Sequence, residues 1–173
     1  MHRLLLLALA PFAMAAAAPT GLGRPVPADE VARADISIDP SGAGLPAGSG
    51  TPAQGAAVYA AKCQSCHGAG GAGGTADRLT GGVGSLATPA PVKTLNSFWP
   101  YATTAFDYIH RAMPVTAPQS LSADETYAVV AYLLSVDGIV AKDAVLDAAS
   151  LPKVAMPNRG GFVSAAPGSP RRR

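Results

Sequence analysis

A chain of 173 residues with 13 basic and 11 acidic side chains carries a formal net charge of +2. Arg3 and the terminal Arg171, Arg172 and Arg173 supply four of those basic groups, so the stretch from Pro19 to Pro170 holds 9 basic against 11 acidic residues, net −2. That balance excludes a basic nucleic-acid-binding surface, and a total of 2 cysteines excludes a disulfide framework.

Met1-His2-Arg3 is a short basic start, and Leu4 to Ala18 is apolar apart from Pro11. The segment ends in small residues such as Ala13-Met14-Ala15, and residues 1–18 read as a signal peptide. This 15-residue run falls short of the about 20 that span a bilayer, so the expectation is export to the periplasm, with no stable membrane insertion after cleavage. The alternative is an uncleaved N-terminal anchor.

Residues 19–50 are rich in Pro and Gly and poor in large apolar side chains, which predicts an extended arm with no core of its own. A domain over residues 51–140 follows. Its first helix starts at Thr51-Pro52-Ala53-Gln54, where Thr51 caps, Pro52 suits the first helical position and Gln54 closes a capping box. Gly55, Tyr59 and Cys63 then recur at four-residue spacing, on one face of that helix.

Cys63-Gln64-Ser65-Cys66-His67 has the Cys-x-x-Cys-His spacing of covalent haem attachment. Residues three apart on a helical turn share a face, with Cβ atoms about 5–6 Å apart. Two thiols so placed can each form a thioether to a haem vinyl group, and His67 can reach the iron through a neutral imidazole nitrogen. Three other readings compete. A zinc site would need four ligands, and only His67 and His110 could complete it after the signal segment. A thioredoxin-like redox pair expects a βαβ context that the Ala/Gly-rich surroundings do not provide. A plain disulfide would leave the adjacent histidine a coincidence.

Gly68 to Gly84 is a glycine-rich loop, read as backbone lying close to the haem. A second helix is expected over Thr104 to Ala112, with Phe106, Ile109 and Met113 along one side. A third has the capping box Ser122-Ala123-Asp124-Glu125 and runs to Val136, stopped by Gly138. Its Tyr127, Val130, Ala131 and Leu134 follow core-facing spacing. Asp143 is a candidate cap for one more short turn. Residues 141–165 read as a C-terminal extension packing on the domain, and residues 166–173 as a disordered tail. No alternating strand pattern stands out, so the fold class is all-α.

For the sixth iron ligand, Met113 is the leading candidate. It follows a helix 46 residues beyond His67, and Pro114 restricts its backbone. Met156, 89 residues beyond His67, and His110, one turn before Met113, remain alternatives. Ordinary packing is the commonest job of a methionine. Trp99 and Tyr101 could hydrogen-bond a buried haem propionate while packing on the porphyrin; simple core packing explains them equally well.

The residues also carry a resemblance. Gly44-Leu45-Pro46-Ala47-Gly48-Ser49-Gly50 and Gly55-Ala56-Ala57-Val58-Tyr59 precede the haem motif. Beyond it come Trp99-Pro100-Tyr101-Ala102-Thr103-Thr104, Phe106-Asp107-Tyr108-Ile109, Arg111-Ala112-Met113-Pro114, Ala117-Pro118-Gln119-Ser120-Leu121 and Met156-Pro157-Asn158-Arg159. Together they resemble the cytochrome subunits of bacterial sulfite dehydrogenases, including the cytochrome partner of the molybdenum subunit in the thiosulfate-oxidising Sox system. The resemblance spans roughly Gly44 to Phe162. It implies a class I cytochrome c fold with extended terminal arms, His67/Met113 ligation of one haem c, and electrons accepted from a molybdenum-cofactor sulfite-oxidising subunit. From there they would pass towards a downstream cytochrome or oxidase. Some Sox-type members carry two haems, whereas this chain has a single attachment motif. Both cysteines are committed to that motif, so no catalytic site is expected in this chain itself. Other readings are a free electron carrier, a cytochrome serving another dehydrogenase, or a haem peroxidase or gas sensor with an open sixth position.

Overall fold

A computed structural model describes residue 21 and residues 23–163. The expected signal peptide and the 166–173 tail lie outside the described residues. The chain divides at Asp35/Ile36 into two compact units. The described part of the first holds one helix, α1 (Ala28–Ala34), with no buried residue. This helix departs from the extended conformation expected for the arm. Its sequence is made of helix formers, with Asp29 and Glu30 in the first turn and Arg33 in the last. An Asp29–Arg33 ion pair at 2.7 Å adds an i,i+4 bridge.

In the second unit the core is built by α2 (Pro52–Lys62), α5 (Ala102–Ala112) and α6 (Ala123–Val136), with short helices α3 (Gln64–His67) and α4 (Leu95–Phe98) between them. Both predicted capping boxes form. The Thr51 hydroxyl accepts from Gln54 N–H and that of Ser122 accepts from Glu125 N–H. Such caps contribute about 1 kcal/mol each. Helices α2 and α6 pack through Gly55, where a Cβ would sit 1.8 Å from the Ala128 carbonyl oxygen. Only glycine permits that approach. Tyr59 and Tyr132 pair across the same contact with ring centroids 5.2 Å apart.

Helix α6 is buried on more than the predicted face. Thr126, Tyr127, Ala128, Val129, Val130, Ala131, Leu133 and Leu134 are all inside, because α5, α2 and both extensions surround it. Helix α5 begins two residues before the expected Thr104. The unpredicted α4 is capped by a Thr94–Ser97 box that uses serine where the familiar signature has Glu or Gln.

The segment from Ile36 to Gly50 lies along α5 and α6. Ile38 is buried and its N–H donates to Asp107 Oδ1 at 3.1 Å. The Tyr127 hydroxyl donates to the Pro46 carbonyl at 3.0 Å. At its end, β1 (Ser49–Gly50) pairs antiparallel with β2 (Leu146–Asp147), in register Ser49 with Asp147 and Gly50 with Leu146. This two-residue pair is the one strand contact among the described residues. It is too short to show alternation, and the all-α class stands.

Asp143 caps no helix. It lies in a turn closed by Ala144 N–H to Ala141 C=O at 3.1 Å. Asp147 instead closes a turn of its own, its Oδ1 accepting from Ala149 N–H at 2.9 Å and Ser150 N–H at 2.8 Å. The Ser150 hydroxyl, which donates to the same oxygen at 2.8 Å, leads these bonds in holding its carboxyl below the usual range, and together they close the turn that precedes a 3-10 helix at Leu151–Lys153. Leu146, Leu151, Val154 and Met156 of this extension are buried in the common core.

Candidate functional site

Cys63 ends α2 and starts α3, so the motif turns a corner at its first cysteine. The carbonyl of Cys63 accepts from the N–H of Cys66 at 3.2 Å and of His67 at 3.0 Å. Gly68 then leaves the helix at φ +74°, and a Cβ there would meet the Gly73 carbonyl oxygen. The loop returns over the motif through Gly73 N–H to His67 C=O at 2.8 Å and Ala76 N–H to Cys66 C=O at 2.9 Å. From behind, the Tyr59 hydroxyl donates to Gly68 C=O at 2.9 Å, and burial pushes its pKa up to about 12. The glycine-rich loop, expected as backbone lying close to the haem, is a hydrogen-bonded cover for the motif.

That cover fixes the imidazole. His67 Nδ1 lies 2.8 Å from the Asp77 carbonyl oxygen. Because a carbonyl only accepts, Nδ1 carries the proton and Nε2 keeps its lone pair for a metal. Cys63 is half-buried and Cys66 exposed. Burial pushes the Cys63 thiol up, which favours its protonated form.

Two adjoining cavities open beside the motif. The larger, about 430 Å³, is lined by Asp77, Arg78, Lys93, Phe98, Trp99 and Tyr108 among others. The smaller, about 210 Å³, is lined by Cys63, Cys66 and Tyr59, by Pro114 and Val115, and by Val129 and Leu133 of α6. His67, Ala76, Leu79, Ile109 and Met113 line both. Met113 is the extended residue closing α5, with its N–H on the Ile109 carbonyl at 3.0 Å.

One imidazole nitrogen, one thioether and two thiols therefore surround a mostly apolar slot within the size range of cofactor pockets. This donor set fits a covalently attached haem, with Cys63 and Cys66 to bond its vinyl edge and His67 and Met113 to reach the iron. Among the described residues no cluster of three or more His, Cys, Asp or Glu is arranged for a metal ion.

The structure thus brings Cys63, Cys66, His67, Met113 and Trp99 to one space. Three other candidates lie elsewhere. Tyr101 lies outside the walls, under the Arg159 guanidinium at 5.0 Å from the ring centroid. Met156 is 3% exposed in the core and lines neither cavity. His110 also lines neither; its Nδ1 sits 3.3 Å from the Thr126 hydroxyl and its ring tilts against Phe106. Sequence reasoning missed Arg78 and Lys93. They are the only basic residues between Lys62 and Arg111, and that isolation was a usable signal.

A family model described as "Cytochrome C oxidase, cbb3-type, subunit III" matches residues 50–133. Among solved structures, a chain in the "Crystal Structure of the Sulfane Dehydrogenase SoxCD from Paracoccus pantotrophus" is similar, with a TM-score of 0.76 and 45% sequence identity. The similarity covers 83% of this chain and 71% of that one. No curated protein sequence matches.

Proposed function

The chain belongs to the class I c-type cytochromes, in the family of the matched SoxCD chain, and from that membership we propose that it is the monohaem cytochrome subunit of a sulfite-oxidising enzyme. It is an electron-transfer cytochrome, of a family whose haem c is covalently bound. On the finer assignment Cys63 and Cys66 would hold that haem by thioethers and His67 and Met113 would ligate its iron. The haem iron supplies one-electron chemistry. With His67 and Met113 both ligating the iron, substrate would have no place at the metal, and sulfur chemistry would fall to a partner carrying the molybdenum cofactor. Residues 51–140 form the haem domain on this reading, carried between the N-terminal arm and the 141–165 extension.

The observation that carries this reading is 45% identity over most of the chain to a sulfane dehydrogenase chain. Export to the periplasm is part of the proposal. It is supported by family membership and by the basic-then-apolar start at Met1 to Ala18. Among the described residues no helix is long and apolar enough to cross a membrane.

The test is reduction of the haem in a mixture of this protein, a molybdenum sulfite-oxidising subunit and sulfite. Rapid appearance of the ferrous spectrum supports the assignment. A haem that stays ferric with sulfite but reduces with a sulfane-sulfur substrate transfers it to the chemistry named for the matched protein. A haem that stays ferric with both removes the sulfur-oxidising partner.

A further inference from the structure

We propose that Arg78 and Lys93 hold the propionate groups of the haem and keep its reduction potential insensitive to pH around neutrality. The inference rests on the haem assignment above and adds the orientation of the group and two binding residues.

Both cysteines line only the smaller cavity, both cations line only the larger, and His67 and Met113 line both. In the porphyrin of haem the vinyl groups and the propionates lie on opposite edges. A macrocycle tied by its vinyl edge to Cys63 and Cys66, with its iron between His67 and Met113, therefore directs its carboxylates into the larger cavity. That cavity carries Arg78 from the loop after the motif and Lys93 from the residue before the α4 cap. The Lys93 ammonium lies 5.1 Å from the Phe98 ring centroid, on the cavity wall. Among the described residues neither cation forms a salt bridge with a carboxylate. A guanidinium and an ammonium facing one cavity suit two carboxylates, since Arg matches a carboxylate bidentately and Lys serves it as a point charge.

The other titratable side chains on the walls of that cavity are Asp77, from the same loop, His67 and Tyr108 of α5. Asp77 opposes the two cations, leaving a net positive lining. Tyr108 packs edge-on against Trp99 at 5.6 Å. The His67 ring is committed to Asp77 C=O and the iron. An arginine and a lysine beside the propionates hold them ionised well below neutrality. They also favour the ferrous state, which has one positive charge fewer than the ferric.

Spectroelectrochemical titration of the haem-loaded protein from pH 5 to 8 tests this, with R78Q, K93Q and the charge control K62Q. Lys62 lines the smaller cavity beside Cys63. Arg78 and Lys93 are exposed, so neither substitution opens the core. The wild-type midpoint should be flat with pH. In R78Q and K93Q it should fall, shifting the reduction equilibrium by up to about tenfold, equivalent to about 59 mV for one electron. It should also acquire a decline with rising pH as the freed propionate ionises within the window. K62Q should lose potential, if at all, without gaining that decline. Flat curves for R78Q and K93Q would overturn the proposal. Absence of covalent haem from the wild type in a pyridine haemochrome assay would instead overturn the haem assignment itself.

Discussion

His67 is held through its Nδ1 by the backbone carbonyl of Asp77, 2.8 Å away, and not by the carboxylate of that residue. The acceptor is therefore supplied by the path of the loop and not by the chemistry of the Asp77 side chain. Replacing Asp77 with Asn should leave the visible signature of His67 ligation unchanged. Gly68→Ala should disturb it, because φ +74° with ψ 169° is a region essentially reserved for glycine, costing another residue about 1–3 kcal/mol, and its Cβ would run into the Gly73 carbonyl. Visible spectra and thermal melts of the two variants check the contrast. An altered ligation spectrum in D77N with a normal one in G68A would reverse it.

The two methionines should separate cleanly. Met113 lines both cavities, whereas Met156 is buried among Leu151 and Val154 and their neighbours. Met113→Ala should abolish the long-wavelength sulfur-to-iron band of the oxidised protein. Met156→Ala should keep the band and lose about 2–5 kcal/mol of stability to the cavity it leaves. Denaturant titration and the near-infrared edge of the visible spectrum, on both variants, decide between them.

Gly55 is the tightest point between α2 and α6. Gly55→Ala should destabilise by at least about 1–3 kcal/mol through overpacking, although alanine is the better helix former. Chemical denaturation should show a lower midpoint at unchanged slope. A stabilised variant would mean that the helices can separate without penalty.

Lys62 and Glu125 join α2 to α6 at 2.6 Å, and the hydrogen bond from Lys62 leads the causes holding the Glu125 carboxyl below its usual range. A depressed folded-state pKa contributes stability above the unfolded value, about 4.3 for Glu. That contribution is lost as pH falls through the lower, folded-state value. Glu125→Gln retains a side chain able to complete the capping box and removes the charge. It should cost under about 1 kcal/mol at pH 7, as for solvent-screened pairs. The gap from wild type should close on acidification below about pH 4. Melts of both proteins from pH 7 to pH 3 provide the comparison.

Much of this organisation was legible because it is local. The capping boxes at Thr51 and Ser122 set the starts of α2 and α6 within a few residues of sequence. The haem motif is itself a single helical turn. What escaped depends on partners distant in the chain. The β1–β2 pair is only two residues on each side, so its existence follows from the extensions meeting and not from any pattern in either. Helix α4 was hidden by Ser97 in a position usually held by a longer acceptor. Asp143 and Asp147 are equally good turn residues by composition; Ser150, three residues after Asp147, bonds the second, whereas Leu146 stands three residues after the first. Arg78 and Lys93 sit outside helices, where no periodicity assigns a direction to a side chain. Tyr101 was grouped with Trp99 by proximity, but the backbone turns between them and gives Tyr101 to Arg159.

The smaller cavity has a wall contributed by Val129 and Leu133, which are synthesised long after the cysteines they face. A chain emerging from its N-terminus first presents Cys63 and Cys66 before α6 exists to shelter them. On the proposed haem assignment, a vinyl edge joined before α6 docks would meet no wall from Val129 and Leu133.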